Sequence, residues 1–314
     1  MLVNLVPEFL AALAAPDPQD AYHRYLTDHA AVLTAYWHNY VLDLDSPHAA
    51  DVVRHTLTAD RRDLHALLGQ VDLVAMAEET AARCVEVLEA DRSFDVYLMV
   101  GVGAANAGEL VLGGRGVAFV CLEHFTGRPN PETYGLGLSP DLLPLWIAHE
   151  VAHTIRYTSP ASKSGLAHAV SEGAGRYDYW ETGSRVPLRE LLVNEGLAVA
   201  AAQAVAPGRP AWDYLGYGRR QYRRLRELDV FLRRAIAPDL DHSGLGYRLR
   251  YLAGGASPSS RLVAGKIIPE RAGYYVGLRM TEAIVADVGI ATALRASAEE
   301  CRLAEERAAG IQTA

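Results

Sequence analysis

Cysteine is scarce in this sequence, and its scarcity excludes a disulfide framework. The 314 residues contain three cysteines, Cys84, Cys121 and Cys301, which are odd in number and far apart. Small domains held together by disulfides show an even number of closely spaced cysteines instead. We therefore expect each of the three to be a buried thiol in a reducing compartment.

Long apolar runs and an excess of positive charge are missing too. No apolar run of the sequence approaches the roughly 18 residues that a membrane-spanning helix needs. The 30 lysine and arginine residues are outnumbered by 38 aspartate and glutamate residues, which gives a net charge of −8. This balance argues against nucleic acid or an anionic membrane as the main partner. The apolar start of the chain lacks a basic segment and contains Glu8, which favours an N-terminal helix over a signal peptide. We expect a cytoplasmic protein.

The sequence has enough apolar residues for a large core, since 50% of the chain is hydrophobic. Residues 1–92 have the pattern of helices, whereas residues 94–100 and 116–122 are β-rich runs bounded by glycines. The sequence therefore predicts an α+β protein. We expect an N-terminal helical region, residues 1–92, packed on a second domain, residues 93–314.

Two stretches imitate nucleotide-binding or nucleic-acid-binding signals. The sequence GVGAAN at 101–106 is part of a dinucleotide-binding fingerprint, but Asn106 replaces the third glycine and a turn and strand follow instead of a helix. Residues 219–234 contain seven arginines, but a helical stripe formed by Leu225, Leu228 and Leu232 runs beneath them. We interpret the first stretch as a turn between strands and the second as a solvated helix face.

The segment from Leu142 to Tyr157 carries the strongest functional signal. Its centre holds His149, Glu150 and His153 in the spacing H-E-x-x-H, among apolar residues that predict a buried helix. Positions i and i+4 lie on one face of a helix, so both imidazoles can reach one metal ion. Glu150 lies one position further round, where it can act on a metal-bound water without being a ligand. The spacing indicates the zinc site of a protease.

A catalytic zinc ion usually has three protein ligands, so the motif needs a third. The extended spacing H-E-x-x-H-x-x-G-x-x-H fails here, because Arg156 and Ser159 stand at its last glycine and histidine positions. His168 fits no known spacing.

Two carboxylates compete for the third position. Glu195 is favoured because it lies in an otherwise apolar helix, predicted over 186–206, where an unpaired charge would be costly. Asp178, in a loop-like segment, is the alternative ligand. A further alternative makes Glu195 a structural acid that pairs with an arginine such as Arg189.

Three motifs together resemble a known family. HEVAH at 149–153, NEGLA at 194–198 and AGYYVG at 272–277 are similar, in this order, to the gluzincin branch of zinc metallopeptidases. The closest resemblance is to a group of predicted Zn-dependent proteases, and it covers roughly residues 94–290. It implies a zincin-like fold with a small sheet, with Zn²⁺ as the cofactor.

The resemblance also implies roles for single residues. His149, His153 and Glu195 would be the zinc ligands and Glu150 the general base. Tyr274 would stabilise the oxyanion, with the adjacent Tyr275 as the alternative.

Further expectations follow from the same resemblance. Residues 117–123 would form the edge strand along which an extended peptide pairs. Val199 stands where some gluzincins have an aspartate that orients a zinc-bound histidine, so the group in that role stays open. The long interval between His153 and Glu195 would form a lid.

The predicted function is hydrolysis of peptide bonds in a peptide or protein substrate, by a metal-activated water with Glu150 as the base. Two alternatives stay open. One is a zinc hydrolase that acts on a non-peptide amide, and the other is a pseudoenzyme that keeps zinc for structure. The sequence makes no prediction of the oligomeric state.

Overall fold

The computed structural model describes residues 1–91, 93–254 and 257–310. Within them the fold is α+β, as expected, and consists mainly of helices around one small sheet. None of the helices in these ranges combines the length and the apolar character that crossing a membrane requires. Cys84, Cys121 and Cys301 are all buried and free, as the sequence predicts.

The sheet contains four strands, in the spatial order β1-β2-β4-β3. Its strands are β1 (Leu2–Asn4), β2 (Phe94–Met99), β3 (Ala107–Leu112) and β4 (Arg115–Cys121). β1, β2 and β4 are parallel, and β3 runs antiparallel to β4. Two short hairpins lie apart from this sheet: β5 (Pro129–Asn130) with β6 (Gly135–Leu136), and β7 (Leu262–Val263) with β8 (Lys266–Ile267).

Two expectations about the sheet are wrong. Residues 117–123 do not form an edge, because β4 lies between β2 and β3; the two edges are β1 and the antiparallel strand β3. The start of the chain is not purely helical, because β1 pairs with β2. Both errors concern partners that are distant in sequence, which local patterns do not specify. The proposed boundary at residue 92 lies outside the described residues, and the division into two domains stays a prediction.

Helices surround the sheet. The N-terminal ones are α1 (Val6–Leu13), α2 (Pro18–Asp28), α3 (Ala30–Tyr36), a π-helical turn (Trp37–Val41), α4 (Ala49–Thr58), α5 (Arg62–Gln70) and α6 (Leu73–Val87). The central ones are α7 (Leu143–Thr158), α8 (Gly165–Glu172), α9 (Tyr179–Arg185) and α10 (Leu188–Val205). The C-terminal ones are α11 (Ala211–Tyr214), α12 (Arg219–Glu227), α13 (Asp229–Ile236), α14 (Leu245–Leu252), α15 (Ala272–Ala293) and α16 (Ala298–Ala308).

The central helix α7 contains H-E-x-x-H and packs on β3 and β4 on one side and on α10 on the other. Almost all of its side chains are buried, as predicted for this segment. Its approach to the sheet is close at Gly116, where an added Cβ would lie 2.4 Å from Thr154. The sheet therefore holds α7 at a fixed distance, which fixes the position of its two histidines.

Two glycines bring α10 and α15 into backbone contact. A Cβ added to Gly196 would lie 2.1 Å from the carbonyl oxygen of Gly277, and one added to Gly277 would lie 2.0 Å from the carbonyl oxygen of Leu192. Any larger side chain would push the helices apart. Because Gly196 follows Glu195 and Gly277 lies one turn after Tyr274, this contact brings those two side chains to the same region.

The two misleading stretches have structural explanations. The N–H groups of Gly101 and Gly103 donate to the buried carboxylate of Glu123, at 3.0 and 3.2 Å, so an internal acid uses the donors that a phosphate would need. The seven arginines of residues 219–234 are all exposed, while Leu225 and Leu232 are fully buried beneath them. The prediction of a solvated helix face is confirmed.

Candidate metal centre

The two histidines of α7 converge on the glutamate of α10. The Nε2 atoms of His149 and His153 lie 3.3 and 3.5 Å from Oε2 of Glu195. One donor atom from each of these residues lies within 4.8 Å of the other two. Adjacent ligands in a tetrahedral zinc site, with bonds of about 2.0–2.1 Å, are about 3.3–3.4 Å apart. The separations to Glu195 are therefore those of a ligand set for one metal ion.

Burial makes this cluster electrostatically unusual. Burial lowers the pKa of His149 below its usual range, despite the contact with Glu195. Burial also acts to lower the pKa of His153, but the charges of Glu195 and Glu109 outweigh it and raise that pKa to about 9. Burial acts to raise the pKa of Glu195, and the two histidines outweigh it and hold that pKa below its usual range. Without metal, these shifts favour a proton on His153 opposite the ionised Glu195, and a bound cation would replace that proton.

The donor set fits zinc. Two imidazole nitrogens and one carboxylate oxygen are the ligands of many catalytic zinc sites. The Nδ1 atoms of His149 and His153 are buried and have no hydrogen-bond partner in the described part of the chain. Some gluzincins have an aspartate at the position of Val199 that orients a zinc-bound histidine. No described side chain takes that role here. The assignment of the three residues as ligands stays a prediction.

Glu150 lies beside this cluster on α7, next to a second buried acid. Burial raises the pKa of Glu150 well above its usual range, and the neighbouring Glu109 raises it further. One donor atom each of Glu109, Glu150 and His153 also lies within 4.8 Å of the others. A carboxyl group with a raised pKa in a buried site is suited to exchange protons.

Glu109, on the edge strand β3, is the residue of this site that sequence reasoning missed. The hydroxyl of Tyr157 donates to its Oε1 at 2.9 Å, and the hydroxyl of Tyr40 lies 3.0 Å from its Oε2. Asn194 in turn donates to the hydroxyl of Tyr157 at 3.0 Å. Because hydroxyl groups hold both of its oxygens, Glu109 is better suited to hold Glu150 than to bind a metal. An acid among apolar residues of a strand was the available signal.

The two adjacent tyrosines of α15 face different surroundings. The ring of Tyr274 stacks near His149, with a centroid distance of 6.3 Å, and burial and Glu195 raise its pKa well above the usual range. Tyr275 packs against Tyr222 and lies beside Asp229, away from the cluster. Of the two tyrosines, Tyr274, which the sequence favoured, is therefore the one that lies beside the cluster of His149, His153 and Glu195.

The remaining alternatives lie elsewhere. Asp178 is the N-cap of α9, accepts the N–H of Glu181, and pairs with His38 at 2.9 Å. His168 is exposed on α8, 3.2 Å from Glu172. Arg189, which the alternative interpretation paired with Glu195, pairs with Asp241 instead.

A comparison with known families matched part of the chain. Residues 166–302, less than half of the chain, match a family described as "Predicted Zn-dependent protease (DUF2268)". The matched stretch contains Glu195 and Tyr274 but begins after the H-E-x-x-H motif. Comparisons with curated proteins and with solved structures found no match.

Proposed function

We propose that this protein is a zinc-dependent peptidase. The observation that carries the proposal is the convergence of His149 and His153 on Glu195, with Glu150 and Tyr274 beside them. The match to a family described as a predicted Zn-dependent protease supports the same function.

The roles of the side chains follow from their positions. His149, His153 and Glu195 would hold the zinc ion, which when bound would polarise the scissile carbonyl and make water nucleophilic near neutral pH. Glu150 accepts the proton of the attacking water and passes it to the leaving amine. The hydroxyl of Tyr274 donates a hydrogen bond to the oxyanion that develops on the substrate. Glu109 keeps the carboxyl group of Glu150 in place.

A catalytic zinc site keeps one position open, whereas a structural site is closed by a fourth protein ligand. Among the described residues, the groups that could hold a metal are His149 with His153 and Glu195, and Glu109 with Glu150 and His153. In the first group no fourth donor accompanies the three ligands. This favours a peptidase over a pseudoenzyme that keeps zinc for structure.

We further propose a zincin-like fold of the gluzincin type for residues 93–314. The antiparallel edge strand β3 beside the H-E-x-x-H helix and the glutamate on the following long helix support it. The substrate would be a peptide or protein. We assign the protein to the cytoplasm, on the support of its three free, buried cysteines.

Metal analysis combined with a peptide library tests this proposal. Purified protein is expected to contain about one zinc ion per chain and to cleave peptides in the library, whereas Glu150→Gln keeps the zinc and loses cleavage. Full metal content in both His149→Ala and His153→Ala would contradict the site. Zinc binding without cleavage of any peptide would contradict the peptidase.

A further inference from the structure

The free edge of β3 is already occupied by side chains of this chain. The backbone N–H of Glu109 donates to the hydroxyl of Tyr40 at 3.0 Å, and the same hydroxyl lies 2.9 Å from the carbonyl oxygen of Glu109. Two residues further, the N–H of Tyr177 approaches the carbonyl oxygen of Val111 at 3.4 Å. These groups of Glu109 and Val111 point away from β4. They are the groups that an added peptide strand would use.

The π-helical turn at 37–41 places Tyr40 at this edge. Single π-helical turns are rare and occur frequently at functional sites. The ring of Tyr40 packs edge-on against Phe119, with centroids 5.0 Å apart. Gly108 makes room for it, since a Cβ there would lie 2.6 Å from the ring of Tyr40. The ring of Tyr40 therefore fits a space on β3 that Gly108 leaves open and that Phe119 lines.

A second segment, from Tyr177 to Glu181, packs against the π-helical turn at 37–41. Asp178 pairs with His38 at 2.9 Å, and the N–H of Tyr179 donates to the side-chain oxygen of Asn39 at 2.6 Å. The indole N–H of Trp180 donates to the carbonyl oxygen of His38 at 3.0 Å. Each contact joins the interval between His153 and Glu195 to the π-helical turn.

Arg248 of α14 holds the same segment from the other side. Its guanidinium donates to the hydroxyl of Tyr177 and to the carbonyl oxygen of Tyr179, each at 2.8 Å. The ring of Tyr177 stacks on Tyr157, which stacks on His153. The segment is thus connected through the ring of Tyr157 to His153 of the buried cluster.

We propose that residues 38–40 and 177–181 form an internal latch that must leave the edge of β3 before a peptide can bind. This inference rests on the proposed peptidase function. A peptide strand and the hydroxyl of Tyr40 need the same two backbone groups of Glu109, so they exclude one another. The latch makes the described structure the closed form of the enzyme, and its opening controls activity.

The test uses the zinc-loaded full chain and two variants that loosen the latch without touching the metal cluster. His38→Ala removes the pair with Asp178 from an exposed position, and Asn39→Ala removes the acceptor for Tyr179. His168→Ala is the matched control, because it removes another histidine–carboxylate contact, with Glu172, from the exposed face of α8. His38→Arg retains a cation opposite Asp178 and is the rescue variant.

Three rates are measured: amide hydrogen exchange of residues 107–112 and 177–181, removal of zinc by a chelator, and cleavage of a library of unstructured peptides. Both loosening variants are expected to accelerate exchange and zinc removal by about tenfold, as for the loss of one or two hydrogen bonds in a local opening. Peptide cleavage rises with them. The control and His38→Arg stay at the wild-type rates.

The latch and the peptidase function fail in different ways. Exchange and zinc removal that stay at wild-type rates in both His38→Ala and Asn39→Ala would overturn the latch, whatever the activity. Faster exchange without cleavage of any peptide supports the latch and contradicts the peptidase. If Asn39→Ala does not fold, the exposed position of His38 keeps the first variant informative.

Discussion

Two histidine–carboxylate contacts in this protein have the same chemistry but differ in their exposure to solvent. His149 and Glu195 meet in the metal cluster, where their side chains are 5% and 11% exposed. His38 and Asp178 meet in the latch, where the side chains are 41% and 32% exposed. Both carboxylates were plausible metal ligands in the sequence.

The difference in exposure decides the role of each pair. A buried carboxylate that faces two histidines is stable only with a cation or a proton between them, since removing charges from water is costly. An exposed pair contributes little and breaks easily, because water and salt replace the partner. The first pair is therefore suited to bind a metal ion and the second to open and close.

The largest difference in peptide cleavage is expected when one carboxylate in the metal cluster and one in the latch are each replaced by the matching amide. Glu150→Gln keeps zinc but lowers peptide cleavage by about 10²–10⁴-fold, because the amide cannot accept the proton. Asp178→Asn changes a carboxylate in the latch and does not lower cleavage. Turnover measured on one cleaved peptide gives both values. Activity within about tenfold of wild type in Glu150→Gln would show that Glu150 is not the base.

Removing each of the two candidate carboxylates, Glu195 and Asp178, shows which of them binds zinc. Glu195→Ala is expected to weaken zinc binding by more than about a hundredfold, because loss of a ligand costs more than loss of a ligand's hydrogen-bond partner, which typically costs about 10–100-fold. Asp178→Ala leaves the affinity nearly unchanged. Metal titration of both variants decides between them, and the reverse order would make Asp178 the ligand.

The two adjacent tyrosines, Tyr274 and Tyr275, test which side chains of α15 take part in catalysis. Tyr274→Phe is expected to lower kcat by about a hundred- to thousandfold while KM changes less, since its hydroxyl acts mainly in the transition state. Tyr275→Phe serves as the matched control, because its ring packs against Tyr222. Single-turnover rates compare the two. Equal, near-native rates would remove a tyrosine from the mechanism.

The smallest effect is a pH dependence of the latch. The hydrogen bonds to Asp43 and Asp178 raise the pKa of His38 above its usual value. Because the folded pKa is the higher one, the contact stabilises the latch fully below about pH 6.5. This stabilisation is lost as pH rises through the raised pKa.

The groove beside His38 is lined by further charged groups, Arg176, Glu181 and Arg185. Exchange of residues 177–181, corrected for the intrinsic pH dependence, is therefore expected to accelerate a few-fold above neutral pH. His38→Arg removes this dependence. A dependence that persists in His38→Arg would mean that another group titrates.

Sequence reasoning selected three residues that the structure brings together, His149, His153 and Glu195, because the signals for them are local. The spacing of His149 and His153 follows from the helix period, and Glu195 stands out as an acid in an apolar helix. The glycines of the NEGLA and AGYYVG motifs have a reason that only the structure gives, the backbone contact of α10 with α15.

The latch and the sheet order were not within reach of local patterns. The edge strand was placed at 117–123 instead of β3 because strand order depends on pairing between distant segments. β1 has only three residues, too few for a pattern. The π-helical turn and its contact with Glu109 likewise join residues 69 positions apart. A lid between His153 and Glu195 was expected, but its partner in the N-terminal region was not.

The most direct test of the central claim is an X-ray structure of the zinc-loaded protein with anomalous scattering recorded at the zinc edge. We expect one peak within about 2.0–2.2 Å of Nε2 of His149, Nε2 of His153 and a carboxylate oxygen of Glu195, with Glu150 outside the ligand set. A peak between Glu109 and Glu150, or at Asp178, or no peak in zinc-saturated protein would contradict it.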